Sequence, residues 1–499
     1  MILLLIALSI CGTVMAADAD DAFEQGMRLA RAGQWSEARD MFLKGRALAP
    51  KDKRFPLELA GVAFRTGDRA HAIKEFQHAL ALDPHDAYAN EALGSLYLLD
   101  GNLDAAIVCL NRVDKPVIHD VVVQPELRRA VEASPGEVLT EDASLQTSAN
   151  LQRLGYSSWR MWLTPRESGS FDLVVETADS AIAGRSVPGW ALEIASGLPY
   201  QTLNLDFHPG YGWIETIGTT ARWDPNKRLG DVRFSGVIAG NPRFRYSFDL
   251  NGRDEAWRVN GLAPFQFTGA ATRAEIETGL TGRLTWTNGV VISNLDYRNT
   301  PAASIFANGL EVKGISKISY QAIRLPSKRL FVTLEGEAQP GSLVNNFSNF
   351  QAGARAHWTY GETYPLSVHG AVHLGTSVGQ LPFNELFALG MSRDSDLWIR
   401  GHTAEYNGLK GNGPMGDRFA LTKADFLQTV FRNDFLRWEA GPFLDTGKVS
   451  GRFGSHGWMV DTGVETHVQI MRALTFVAIY GRDTIHGGGA VFTAIRAGG

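Results

Sequence analysis

The chain has 499 residues and a formal net charge of −5, so no global basic character points to nucleic acid as a partner. Glycine supplies 53 residues, above the usual ~7%, while charged residues make up only 20%. That balance is unusual for a cytosolic enzyme and suits many short strands joined by turns.

Residues 2–10, ILLLIALSI, form a short apolar core, and Val14, Met15 and Ala16 are placed for cleavage before Ala17. This is the shape of a secretory signal over residues 1–16. No Lys or Arg precedes the core, which leaves the true start codon open. A lipoprotein reading would use Cys11, but Ile10 is bulky where a small residue is expected. With the leader removed only Cys109 remains, so no internal disulfide forms and the thiol is expected to pack as a small hydrophobe. After residue 16 no run approaches the ~20 apolar residues of a membrane-spanning helix. An exported chain of this kind is either soluble or a closed barrel.

Residues 17–115 repeat with a period of 34. Gly33, Gly67 and Gly101 share one phase, Ala38, Ala72 and Ala106 a second, and Phe42, Phe76 and Leu110 a third. Small residues recur at Gly26, Ala60 and Gly94, and Pro50 and Pro84 close two units. Three repeats of this pattern resemble the tetratricopeptide repeat. Each helix pair cannot bury its apolar face alone, so neighbours stack. The resemblance implies a concave surface that grips a peptide or protein.

Residues 116–179 change texture. VIHDVVVQ (117–124) predicts a strand and PELRRAVEA (125–133) a short helix with Pro125 in its first turn. Thr140, Glu141 and Asp142 start a second helix that Gly155 stops. SSWRMWLTP (157–165) and FDLVVETA (171–178) are two further strands. The β-α-α-β-β order, with PGEVLT, LQRLGY and FDLVVET, resembles a polypeptide-transport-associated (POTRA) domain. Extended chains can add to the free sheet edge of such a domain.

Residues 190–499 show no convincing helical period. Runs of about ten residues alternate apolar and polar side chains, as membrane strands require. QTLNLDFH (201–208), WIETIGTTARW (213–223), DVRFSGVIAG (231–240), RFRYSFDLNG (243–252) and RLFVTLEGEA (329–338) are examples. Roughly 310 residues at about 19 per strand and connection give a transmembrane antiparallel β-barrel of about sixteen strands.

Within that segment, LWIRGH (397–402) carries a charged Arg400 among apolar residues, and FLDTG (443–447) carries the lone acid Asp445. With NELFALG before and GDRFALTKADF after, these stretches resemble the C-terminal barrel of the BamA-like family, the bacterial surface antigens. That family comprises outer-membrane assembly factors and two-partner-secretion transporters. In it a long extracellular loop folds back into the barrel and carries a [V/I]-R-G-[F/Y] tip. The tip arginine meets the aspartate of an F-x-D-x-G motif on a later strand. Ile399, Arg400 and Gly401 match the tip and His402 departs from it, while Phe443, Asp445 and Gly447 match the strand motif. The resemblance implies that these residues anchor the loop inside the pore. A guanidinium and a carboxylate away from bulk water each need the other. The family often ends on an aromatic residue, whereas this chain ends AVFTAIRAGG with Phe492 as its last aromatic.

Other signals are weak. GTSVG (375–379) fits G-x-S-x-G, but Pro382 follows where a nucleophile elbow needs a helix, so Ser377 is assigned to a turn at the barrel rim. GNGPMG (411–416) lacks the lysine of a phosphate loop and is assigned to a hairpin turn. No H-E-x-x-H or paired ligand spacing appears, so no metal, cofactor or catalytic residue is expected. The sequence therefore predicts a non-enzymatic outer-membrane barrel that inserts or translocates polypeptide. Its partners are outer-membrane lipid and a polypeptide client or periplasmic protein, reached through a periplasmic arm. A lipid-handling or passive channel docked by its repeats is the alternative.

Overall fold

The computed structural model describes residues 18–499 except 157, 168, 178–186, 208–213, 302, 362, 452–455, 472–473 and 498–499. The leader expected over 1–16 lies outside the described residues. The chain divides into two compact units.

The first unit holds the helices α1 (18–31), α2 (Trp35–Leu48), α3 (Arg54–Arg65), α4 (Arg69–Leu82), α5 (Ala87–Leu99) and α6 (Leu103–Leu110). The 34-residue period has a local cause. Gly33, Gly67 and Gly101 sit at the turn inside each helix pair with φ of +76°, +84° and +73°, where a Cβ is strained. Asp68, Asp86 and Asn102 cap the helices that follow by accepting the N–H of His71, Ala89 and Ala105. A Cβ on Gly26 would lie 2.6 Å from the Phe42 ring and one on Gly94 2.6 Å from Leu110, so small residues set the helix crossings. Cys109 packs in the core with Leu93, Ala106 and Leu110. The unit also contains a three-stranded sheet of β1 (Ile118–Val122), β2 (Trp159–Pro165) and β3 (Phe171–Thr177), in the order β1-β3-β2 with β1 and β3 parallel.

The second unit takes in residues 125–132 and 145–159 together with 177–499. The segment Pro125–Ala130 is a short 3-10 helix, and α7 runs Glu141–Arg153. Arg153 of α7 and Glu132, just past the 3-10 helix, reach the barrel. Arg153 Nε donates to Glu277 at 2.6 Å, and Arg243 donates twice to Glu132 at 2.9 Å.

Helix α8 (Val187–Gly197) follows. No helix is expected here from the sequence, because VPGWALEIASG is short, mostly apolar and ends on glycine. The barrel strands are β4 (Thr202–Phe207), β5 (Thr216–Asp224), β6 (Lys227–Ile238), β7 (Asn241–Trp257), β8 (Phe265–Thr281), β9 (Leu284–Arg298) and β10 (Gly309–Leu325). They continue as β11 (Leu330–Ser342), β12 (Asn346–Tyr360) and β13 (Leu366–Gly379). A long loop then carries the two-residue strands β14 (Phe387–Ala388), β15 (Glu405–Tyr406), β16 (Leu409–Lys410) and β17 (Met415–Gly416). The barrel resumes with β18 (Arg418–Arg432), β19 (Leu436–Ser450), β20 (His456–Ile470), β21 (Leu474–Asp483) and β22 (Gly489–Ala497).

The closed barrel contains seventeen strands, two of which, β15 and β16, belong to the loop. Fifteen are six residues or longer among the described residues. From β4 round to β22 every step is antiparallel, with β13 paired directly to β18. Fourteen reversals leave β4 and β22 pointing the same way where the ring closes. Helix α8 packs against both strands. Its Trp190 ring lies 5.4 Å from Phe207 of β4.

Side chains alternate across the wall. Val290 and Ile292 are exposed while Val291 is buried; Leu310, Val312, Leu334, Phe350, Val372, Leu374, Leu444 and Val464 are likewise exposed. So many large apolar groups facing outward suit a lipid-facing surface. No helix among the described residues is long and apolar enough to cross a membrane.

Two local expectations are corrected. Ser377 lies within β13, paired with Asn349, and Gly379 with φ +86° ends the strand. Alternation carries the strand farther than the glycines suggested. GNGPMG is no hairpin turn: it links β16 and β17, which pair with β15 and β14 respectively.

Candidate functional site: an infolded loop and a row of carboxylates

Residues 380–417 leave the barrel between β13 and β18, which are themselves neighbours, so the loop is free to fold inward without breaking the wall. Apolar side chains seat it. Phe383 packs edge-on against Phe265 and Trp257, with centroids 5.2 and 5.0 Å away. Phe387, Leu389 and Ile399 pack against Phe419, Leu421, Val449 and Met459 of the wall. Burying these rings and branched chains contributes about 1.5–3 kcal/mol each.

The tip is read by hydrogen bonds. Arg400 is only 2% exposed. Its Nε donates to Asp445 Oδ2 at 2.8 Å, its Nη2 to Asp445 Oδ1 at 2.6 Å, and its backbone N–H to Oδ2 at 3.0 Å. Nη1 meets Glu465 at 2.7 Å and also pairs with Asp425. The guanidinium carbon stands 3.8 Å from the Phe443 ring centroid, which is why an aromatic two residues before the aspartate is useful. Burial opposes the charge, but the hydrogen bonds and fields of Asp445 and Asp425 outweigh it, so the Arg400 pKa lies above the ordinary arginine value.

The next two residues continue the pattern along the wall. Asp445, Asp461 and Asp483 are successive cross-strand partners on β19, β20 and β21. All three are buried. Arg400 takes the first, and the Gly401 N–H donates to Asp461. His402 lies between the second and third, with Nδ1 3.2 Å from Asp461 and Nε2 3.3 Å from Asp483. Three consecutive loop residues thus meet three carboxylates in register.

Two wall glycines lie close under the loop tip, and at Gly481 the approach excludes any side chain. A Cβ on Gly481 would fall 2.0 Å from the Arg400 carbonyl oxygen, and one on Gly447 3.0 Å from Ile399.

All seven residues singled out in the sequence, Ile399, Arg400, Gly401, His402, Phe443, Asp445 and Gly447, lie at this one site. Sequence reasoning missed Asp425, Glu465, Asp461, Asp483 and Gly481. One signal was present: Asp-Thr-Gly occurs at both 445–447 and 461–463.

It also missed a second group of charges. Lys410 of the loop meets Glu255 at 3.1 Å and Asp394 at 3.0 Å. Arg222 reaches Asp394 at 3.1 Å and also pairs with Glu405. Lys227 and Glu255 are 3.4 Å apart and both about 1% exposed. A third group ties the start of the loop: Lys313 to Glu385 at 2.6 Å and Asn349 to Glu385 at 2.9 Å. These polar contacts fasten the loop to nine of the fifteen long strands, β5, β6, β7, β10, β12, β18, β19, β20 and β21.

No known protein-family model and no curated protein sequence matches the chain. Solved structures do. CdiB from Escherichia coli matches at 12% identity with a TM-score of 0.53, over 77% of this chain and 76% of that one. The barrel is similar in fold to CdiB. BamA from Haemophilus ducreyi lacking POTRA domains 1–3 aligns at 10% identity, covering 76% of this chain and 84% of its own, with a TM-score of 0.43. The first TPR of Spaghetti (RPAP3), bound to an HSP90 peptide, aligns over 20% of this chain and 78% of its own at 26% identity and a TM-score of 0.19.

Proposed function

We propose that this protein inserts polypeptide into, or moves it across, a bacterial outer membrane, with its N-terminal repeats in the periplasm as a partner- or client-binding arm. The observation that carries the reading is the infolded loop held by Arg400 on a lumen wall of carboxylates. A loop fastened this heavily to the wall suits a gated path better than a passive pore. The CdiB-like fold supports the same reading.

The seam adds a route. Because β4 and β22 run the same way, one more strand between them would be antiparallel to both. Helix α8 lies against both strands there. In this proposal a client strand displaces α8 and completes the alternation. The edge of the β1-β3-β2 sheet offers extended chain an earlier pairing site. Exposed Phe64 and Tyr88 on the repeats give the arm apolar contacts for a segment in transit. The protein's part involves no bond chemistry.

Depletion followed by comparison of the outer-membrane proteome tests this. Loss of specific surface or secreted proteins is the expected result. An unchanged proteome with altered lipid composition would instead favour a lipid-handling channel.

A further inference from the structure

The geometry points to a divalent transition-metal site, Zn2+ in class, formed by His402 of the loop tip with Asp461 of β20 and Asp483 of β21. One donor atom from each lies within 4.8 Å of the others. The donor set, one imidazole and two carboxylates, is what Zn2+ accepts alongside water or a further histidine. His486 Nδ1 lies 3.0 Å from Asp483 Oδ2 but outside the three-donor group, which leaves the remaining position to water.

One further observation points to a cation. Asp461 is fully buried, and while its Oδ2 accepts the Gly401 N–H, its Oδ1 has no hydrogen-bond partner. A buried, ionised carboxylate oxygen left bare is costly.

The separations fit as well. His402 Nε2 to Asp483 Oδ2 is 3.3 Å. The edge of a tetrahedron with ligands at ~2.0–2.1 Å from its centre is about 3.3 Å. Entry is open from one side, since His402 is 25% exposed and His486 56% exposed while the two carboxylates are buried. The linear sequence hides the set because its donors come from a loop and two strands.

Such an ion would bind the loop tip to β20 and β21, beside the Arg400–Asp445 pair and independent of it. The test is Zn2+ titration of tag-free, full-length protein in detergent, against His402→Phe and Asp483→Asn. Wild type is expected to bind one more Zn2+ per chain than H402F, and D483N to bind that ion about tenfold or more weakly. X-ray absorption of the zinc-loaded wild type is expected to show imidazole nitrogen and carboxylate oxygen and no sulfur. That measurement stands even if a variant fails to fold. Wild type binding no more Zn2+ than H402F, or a spectrum without imidazole, would overturn the site whether or not the transport reading holds.

Discussion

Arg400 shows how one side chain can set the position of a loop nearly forty residues long. It is almost fully buried and faces three carboxylates, Asp425, Asp445 and Glu465. Breaking such a group from one side strands the other, at a cost of about 3–5 kcal/mol. Arg400→Ala and Asp445→Asn are each expected to lose that much in urea unfolding followed by tryptophan fluorescence, and the double variant less than the sum. Arg400→Lys should recover only part, because an ammonium lacks the fork. Gly481→Ala should release the tip without altering any charge, since its Cβ would collide with the Arg400 carbonyl. Protease sensitivity within 380–417 reports that release; a resistant G481A loop would refute the close approach. The Arg400 and Asp445 contacts were legible because each lies in a short contiguous motif. The partners Asp461 and Asp483 were not, because strand register decides which acids stand side by side and register is set by the whole barrel.

At the scale of elements, the repeats were the most legible part. Their period comes from local causes: a left-handed glycine turn in all three units, and a side-chain helix cap after that turn in the second and third. Cys109 follows from its neighbours: burial among Leu93, Ala106 and Leu110 pushes its pKa up to about 11. Little thiolate exists at neutral pH, so maleimide at pH 7 is expected to label the folded protein far more slowly than the urea-unfolded chain. Equal rates would place Cys109 at a surface. Helix α8 was illegible for a physical reason: eleven mostly apolar residues give no polar face from which a period could be read. Several strands outrun their predicted ranges for a related reason. RFRYSFDLNG (243–252) lies within β7, a strand of 17 residues, whose charged C-terminal part GRDEAW hides the continuing alternation.

For the whole molecule, the barrel class was readable and its closure was not. Alternation in many runs predicted about sixteen strands, and the closed ring has seventeen with two from the infolded loop. Strand count at the seam depends on whether 187–197 is helix or strand, which hydrophobicity alone does not separate. The outward apolar surface makes its own prediction. Ile292 is exposed on β9, so Ile292→Arg should cost about 2–4 kcal/mol if it sits near the bilayer midplane. The check is folding yield into lipid vesicles. An arginine tolerated there at no cost would contradict a lipid-facing wall.

The central claim is that the Arg400 loop lies inside the barrel against β19. The direct measurement is a double variant, Arg400→Cys with Asp445→Cys, treated in outer-membrane vesicles with a short bis-thiol crosslinker. An intramolecular link that shifts electrophoretic mobility, and that neither single variant shows, is the predicted result. No link, together with ready labelling of the cysteine at 400 by a membrane-impermeant thiol reagent, would place the loop outside and contradict the account.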